Sequence, residues 1–224
     1  FSALSGLSYL SGYPDGSPAS FPTEIDLLSA HTSAFAILAA LHHRRCTGEG
    51  QHIDVSSTDS ISVFLGEEFL DCSMNGHGQS RTGNYDSAMA PHGCYRCIGP
   101  DKWVSLAIAT KEDWQAFCRA MGSPIWTRNE RFTDLNSRQS NLEELDKLIE
   151  SWTINYTHYE VMRILQAQGV AAMPSFNSQE LYDNPHLKAR EYWIEVEHPL
   201  IGRQIVVAPP WKLSGSPAVI RRRG

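Results

Sequence analysis

Two cysteines, Cys94 and Cys97, have the two-residue gap found in zinc sites and redox motifs. They lie in a run that alternates like a β-strand, and residues three apart on a strand point to opposite faces. One metal ion cannot easily bind both thiolates in that geometry. The sequence has no second cysteine pair of this spacing and no paired histidines nearby, so we expect no metal site and no redox role here.

Two clusters of charged residues are also candidates for chemistry. The basic cluster is His42, His43, Arg44 and Arg45, and the acidic cluster is Glu67, Glu68 and Asp71. Cations at the end of a predicted helix compensate its dipole. Carboxylates on a predicted helix surface usually face solvent, and a glycosidase-like pair needs a cleft that a sequence does not reveal. We assign neither cluster a catalytic role.

Glycine-bearing segments are the remaining candidates, namely the loop from Asn75 to Asn84 and the run from Met89 to Tyr95. Glycines allow backbone N–H groups to approach a developing oxyanion. A mobile surface loop has the same composition, so both interpretations stay open on this evidence. The common nucleotide, zinc-protease and serine-hydrolase motifs are absent from the sequence.

Composition excludes several classes of partner. A net charge of −6 over 224 residues gives no positive field for nucleic acid or anionic lipid, and we read the run Arg221–Arg223 as a solvated tail. The longest apolar stretch, Ala34 to Leu41, is much shorter than the ~20 residues of a bilayer span. Five scattered cysteines predict reduced thiols. We expect a cytoplasmic protein that binds neither nucleic acid nor membrane.

The elements that position these residues begin with helices. A capping pattern at Thr23 and Asp26 predicts a helix that runs past Leu41 and is buried after Ala34. Residues 51–55 alternate like a strand, and Ser56, Ser57 and Thr58 offer N-caps for a helix over 59–74. This helix, strand and helix order predicts one edge of an α/β layer.

The second half predicts a β-hairpin over 93–98 and 103–109, then helices over 111–121, 141–156 and 157–168. Two short helices split by Asn184 and Pro185 should follow, and a second hairpin should span 192–197 and 204–207.

We predict that the chain has three parts. Residues 1–75 belong to a large α/β domain and its linker helix, 76–190 form a small α+β domain, and 191–224 are a linker returning to the large domain.

Several separated segments occur in a recognisable order. In the first half these are Ser5-Gly6-Leu7, Pro14-Asp15-Gly16, Ile37–Leu41, Thr47–Gln51 and Asp54-Val55-Ser56. In the second half they include Arg81-Thr82-Gly83-Asn84, Ala90–Cys97, Gly169-Val170-Ala171, Asn184–Leu187 and Lys212-Leu213-Ser214. Together, over nearly the whole chain, they resemble the family III coenzyme A transferases.

This resemblance implies an α/β fold with a partial Rossmann-like large domain and a small α+β domain, in an interlocked dimer. It implies transfer of coenzyme A from an acyl-CoA to a small carboxylic acid through aspartyl intermediates. The coenzyme A thioester would be a substrate, and no permanent cofactor is expected. In the family the nucleophilic Asp stands seven residues before the Ser that matches Ser5, which places it three residues upstream of Phe1. We therefore expect an incomplete portion, inactive alone, with no catalytic residue of its own.

One part of the family's active site is carried over, the glycine-rich loop that covers the intermediates. It matches Gly76, His77, Gly78 and Gln79, where His77 interrupts the glycine run of some members. Two alternatives stay open: a non-catalytic subunit of a heteromeric transferase, and an α-methylacyl-CoA racemase. Racemases carry Ile-Glu-Pro where this chain has Ala109-Thr110-Lys111, which favours a transferase.

Overall fold

The first third of the chain is helical. The computed structural model describes residues 2–19 and 24–218. Its first helices are α1 (Leu7–Leu10), α2 (Glu24–Thr47), α3 (Ser57–Ser62) and α4 (Gly66–Asn75), and a 3₁₀ turn at Val63–Leu65 lies between α3 and α4. Among helices in the described ranges, none has both the length and the hydropathy needed to cross a bilayer.

Helix α2 confirms the prediction of a long helix, although Thr23 of the proposed capping pattern lies outside the described residues. The helix ends where Gly48, with a φ of 82°, donates its N–H to the Arg44 carbonyl at 2.8 Å. The predicted burial was wrong for this chain: Phe35 and Leu38 are 75% and 67% exposed. Within the described ranges α2 packs mainly on the short α3, which leaves most of its apolar surface uncovered.

The strand predicted over residues 51–55 is also absent. These residues have no regular structure, and Gln51 to Asp54 are exposed. Alternation alone does not form a strand, because the ladder needs a hydrogen-bonded neighbour, and the described chain places none there. The helix predicted over 59–74 is split into α3 and α4. Its N-cap is confirmed, since Ser56 Oγ accepts the Asp59 N–H at 3.2 Å.

The second half is built on a three-stranded antiparallel sheet. Its strands β1 (His92–Arg96), β2 (Trp103–Ala107) and β3 (Ala171–Pro174) lie in that order. The predicted hairpin is confirmed as β1 and β2, with Cys94 opposite Ser105. Strand β3 pairs with β2 so that Leu106 lies opposite Ala172. We did not predict β3 from the sequence, because a strand of four residues shows too little alternation to be recognised.

Helices cover one face of this sheet: α5 (Lys111–Ala120), α6 (Leu135–Ser140), α7 (Leu142–Thr153) and α8 (His158–Gln166). Alternate strand residues such as Tyr95, Val104 and Leu106 point into the core. They pack with apolar residues of the helices, among them Phe117, Leu145, Ile149, Val161 and Leu165. The core thus links strands and helices from residue 95 to residue 172. The three-part division of the chain remains a prediction.

The described chain ends in two short helices and a hairpin. Helices α9 (Ser178–Asp183) and α10 (Pro185–Ala189) are split at Asn184 and Pro185, as predicted. Strands β4 (Trp193–His198) and β5 (Gly202–Val207) confirm the second hairpin. The basic run Arg221–Arg223 lies outside the described residues.

Candidate functional site

The predicted substrate loop, Gly76 to Gln79, follows α4 directly. Gly76 caps the helix in the left-handed conformation, with a φ of 71° and its N–H bonded to the Cys72 carbonyl at 3.0 Å. The loop residues are exposed, and a methyl group at Gly78 would meet no atom within 4 Å. The loop therefore projects from the end of a helix into open space.

Asp71 of the acidic cluster ties this loop to α4. Its carboxylate accepts a 2.6 Å hydrogen bond from Asn75 and another from the Gln79 amide, and His77 Nδ1 lies 3.4 Å away. The bond from Asn75, helped by Gln79 and His77, holds the pKa of Asp71 below its usual value. We predicted only that this cluster faces solvent, and the structure adds a tether between the helix and the loop.

The next residues, Arg81 to Asn84, pack against the turn that follows α1 and form hydrogen bonds to it. The Arg81 guanidinium donates to the carbonyls of Tyr9 and Tyr13 at 3.1 and 3.2 Å. The Asn84 amide donates to the Tyr13 hydroxyl at 3.0 Å. Gly83 has a φ of +64°, and an added Cβ would lie 2.6 Å from the Tyr13 ring. Only glycine allows the two segments to approach this closely.

The segment from Asp86 to Ala90 is anchored on α6 by two adjacent side chains. The Gln139 amide donates to the carbonyls of Ser87 and Asp86 at 2.6 and 3.3 Å. Arg138 Nε donates to the Ala90 carbonyl at 2.7 Å. In the run from Met89 to Tyr95, which we read as either an oxyanion loop or a mobile loop, Ala90 is thus held by Arg138 and the residues from His92 onward belong to β1. Its Gly93 lies inside β1, opposite Leu106.

A cavity of about 320 Å³ lies between strand β1 and helix α7, and Tyr13, Asn84 and Tyr85 also line it. Asp146 of α7 lines it and accepts hydrogen bonds from the hydroxyls of Tyr95 at 2.7 Å and Tyr85 at 3.5 Å. Burial raises the pKa of Asp146, and these two bonds oppose the rise. Burial, with the nearby Asp146 charge, raises the pKa of Tyr95 far above its usual value.

Sequence reasoning missed this carboxylate as a site residue. The signal in the sequence was its position on α7, four residues after Leu142 and three before the buried Ile149, which places a carboxylate at the edge of the apolar face. The helical pattern alone does not identify the tyrosines that approach it, because they come from a distant strand and from a loop.

The two cysteines of the two-residue pair point to opposite faces, as predicted. Cys94 is exposed, with its Sγ 3.3 Å from the Ser105 hydroxyl, whereas Cys97 is buried in the core. Burial raises the pKa of Cys97 to about 11. Across the described ranges, no group of three or more His, Cys, Asp or Glu side chains is arranged to hold a metal ion. His42 and His43 are exposed in the last turns of α2.

Comparison with known proteins identifies the family. The sequence pattern of CoA-transferase family III matches residues 1–224. Succinyl-CoA:mesaconate CoA-transferase of Haloarcula hispanica is 31% identical over 207 residues, which cover 92% of this chain and 51% of that protein. Succinyl-CoA–L-malate CoA-transferase beta subunit of Chloroflexus aurantiacus is 27% identical over 228 residues, covering 99% and 56%.

The fold agrees with that match. A crystal structure of a CAIB/BAIF family protein from Brucella suis superposes with a TM-score of 0.84 at 24% identity, covering 96% of this chain and 56% of that one. The chain spans about half the length of the relatives it matches. Because the family pattern covers all 224 residues, this chain belongs to CoA-transferase family III.

Proposed function

We propose that the protein carrying this chain transfers coenzyme A from an acyl-CoA to a small carboxylic acid. The observation that carries the proposal is the family match along the whole chain. The departure from the racemase pattern at Ala109-Thr110-Lys111 supports a transferase over the racemase alternative. Thr110 caps α5 there and carries no carboxylate for proton exchange.

The proposed chemistry uses a carboxylate nucleophile outside this sequence, the aspartate expected three residues before Phe1. Its attack on the thioester would form an acyl-aspartyl anhydride and release the coenzyme A thiolate. The thiolate would then attack the aspartyl carbonyl, giving an aspartyl thioester and the donor acid. The acceptor carboxylate would repeat both steps in reverse, so each covalent bond made is later broken and the aspartate is regenerated.

We propose that this chain contributes the covering loop, Gly76, His77, Gly78 and Gln79. An anhydride or thioester hydrolyses unless water is kept away, so a loop that closes over it protects the transfer. The exposed position of the loop supports this role, and its closure would break the Gln79 bond to Asp71 while the Asn75 bond keeps the base of the loop on α4. Gly78, with open space around it, has room to approach a substrate.

The test is transfer by the whole protein, with this chain alone as the comparison. Succinyl-CoA, the donor in both relatives' names, is mixed with mesaconate, L-malate or acetate, and acyl-CoA products are separated by mass. We expect a new acyl-CoA only when donor and free acid are both present, and none from the chain alone. Deuterium uptake beside the thioester of an α-methylacyl-CoA, without a free acid, would support a racemase instead.

Association is the second part of the proposal. Helix α2 exposes a row of large apolar side chains, Phe35, Ile37, Leu38 and Leu41. Exposed apolar surface of this extent marks an interaction site, and we propose that a second copy of the protein covers it. Light scattering of the purified protein should give the molar mass of a dimer. The substitution Leu38→Asp should weaken the association of the two copies. A dimer unchanged by that substitution would remove α2 from the proposed interface.

The non-catalytic alternative has one observation in its favour, the beta-subunit name of the Chloroflexus aurantiacus relative. A protein that transfers nothing alone but gains activity with a second, different chain would support it. We also place the protein in the cytoplasm, where its five free thiols stay reduced.

A further inference from the structure

Arg138 on α6 is a buried cation without a carboxylate partner. Its residue surface is only 3% exposed, and no ion pair to it is formed by the residues that the structure describes. Arginines are almost never this buried unless an anion compensates them. The desolvation lowers the pKa of Arg138, and the more distant Asp134 charge opposes this. The guanidinium therefore lies where an anion would be bound favourably.

Only part of the guanidinium is engaged. Nε donates to the Ala90 carbonyl at 2.7 Å and Nη1 to the Phe132 carbonyl at 3.3 Å, while the group lies 4.7 Å from the centre of the Trp114 ring. No acceptor for Nη2 is found among the described residues. A guanidinium has five N–H donors, so donors remain free on the side away from these carbonyls.

A cavity of about 200 Å³ is lined by Arg138 and by the start of α5. It is smaller than the ~300–1,000 Å³ of pockets for drug-sized ligands, which favours a small occupant. Exposed Lys111 lies at its wall, without an ion pair in the described part of the chain. Thr110 Oγ1 accepts the Asp113 N–H at 3.0 Å, and the Thr110 side chain also helps to lower the pKa of the Asp113 carboxyl, so its hydroxyl is already engaged.

Two other polar residues of the wall are already engaged. The Thr133 hydroxyl donates to the Glu130 carbonyl at 2.9 Å. The Asp134 carboxylate accepts from the Ser137 N–H and the Ser137 hydroxyl, both at 2.9 Å, and caps α6. The lining residues Arg138, Lys111 and Asp134 carry one positive charge in excess, and the Asp113 carboxylate is held away from the guanidinium by the Thr110 N–H that it accepts at 2.9 Å.

We propose that this cavity binds a small oxyanion, a carboxylate or a phosphate group, through the side chains of Arg138 and Lys111. Neither the backbone N–H of Thr110 nor that of Asp113 is available, because both are paired in the capping box. The site therefore consists of side-chain donors from α5 and α6. It is distinct from the loop at Gly76 to Gln79 and does not depend on the proposed transferase activity.

Thermal unfolding of the chain with sodium acetate, sodium phosphate or sodium chloride at equal ionic strength tests the proposal. A bound oxyanion should raise Tm by about 3–6 °C over chloride at tenfold its Kd. A rise with acetate alone assigns the site to carboxylates, and a rise with phosphate as well assigns it to oxyanions in general. No rise over chloride with either salt overturns the proposal.

Variants at the mouth of the cavity locate the effect without touching Arg138. Thr110→Asp keeps an N-cap acceptor but adds a negative charge, and should abolish the rise, whereas Thr110→Ser keeps a neutral N-cap and should retain it. Lys111→Gln should weaken binding about threefold to fivefold. Arg128→Gln removes an exposed charge elsewhere and should bind as the parent does. A rise that persists in Thr110→Asp would overturn this location.

Discussion

The hydroxyl of Tyr95 donates a 2.7 Å hydrogen bond to the carboxylate of Asp146, which lies 51 residues later in the chain. This bond joins strand β1 to helix α7 at the edge of the core. The tyrosine ring is buried and the carboxylate lines the cavity between β1 and α7. The same bond therefore contributes to the packing of the domain and to the electrostatics of the cavity.

Tyr95→Phe should lower the free energy of unfolding by about 1.5 kcal/mol at pH 7, because a bond to an ionised group is lost. The bond favours the ionised carboxylate, so the loss should shrink as pH falls through the Asp146 pKa. Tyr85→Phe is the matched control. Its bond measures 3.5 Å, and its removal should cost less than about 0.5 kcal/mol. Equal losses in urea unfolding would contradict this ranking.

Gly83→Ala should disrupt the packing of residues 81–84 against the turn at Tyr13. The added Cβ would lie 2.6 Å from the ring and the φ of +64° disfavours alanine, so we expect a loss of about 1–3 kcal/mol. Gly78→Ala meets no neighbour and should change stability by less than about 0.5 kcal/mol. Thermal unfolding compares the stability of the two variants. A similar loss of stability in both would contradict the close contact between Gly83 and Tyr13.

Glu180 should contribute to the pH dependence of stability. Burial would raise its pKa, but hydrogen bonds from Lys102, the Asn177 N–H and His158 outweigh it and lower the value to about 2. Because this pKa is depressed in the fold, the stabilisation is present above the unfolded value of 4.5 and is lost as pH falls towards 2.

Glu180→Gln should therefore lower stability at pH 7 and flatten the loss between pH 4.5 and pH 2. Urea midpoints across that range provide the measurement. Glu112→Gln, at an exposed position, serves as the control and should keep the slope of the parent. A Glu180→Gln variant with the parent's slope would show that the ion pairs of Glu180 do not contribute.

The five cysteines should alkylate in two groups at pH 8. Cys46, Cys72 and Cys94 are exposed and should react with iodoacetamide first. Burial raises the pKa values of Cys97 and Cys118 to about 11, which reduces the reactive thiolate. Peptide mass spectrometry follows each site with time. Labelling of Cys97 as fast as Cys94 would contradict the opposite-face arrangement of this pair.

Local signals predicted the elements that local chemistry stabilises. The helices near Lys111, Thr157 and Asn177 form where expected, since each starts at a residue whose side chain caps it. Both hairpins also form as predicted. Their strands are joined by short turns, so the pairing partner of each strand lies nearby in the sequence.

Elements that depend on a distant partner were predicted poorly. Strand β3 exists because β2 has a free edge for it, whereas residues 51–55 find no such partner in the part of the chain that the structure describes, and they are irregular. The apolar pattern of α2 indicated burial, yet a pattern does not say which surface covers it. Neither Asp146 nor Arg138 was identified as a site residue, because each acquires its role from groups far along the chain.

By itself, the sequence determined the order of the motifs, and with it the membership in CoA-transferase family III, the main helices and both hairpins. It also placed Cys94 and Cys97 on opposite faces. Tertiary structure decided which polar groups meet: Asp71 with the Gly76 loop, Arg81 with the turn at Tyr13, and Arg138 with the cavity beside Lys111. Capping and turn energies act over a few residues, whereas burial and charge act between groups that only the fold brings together.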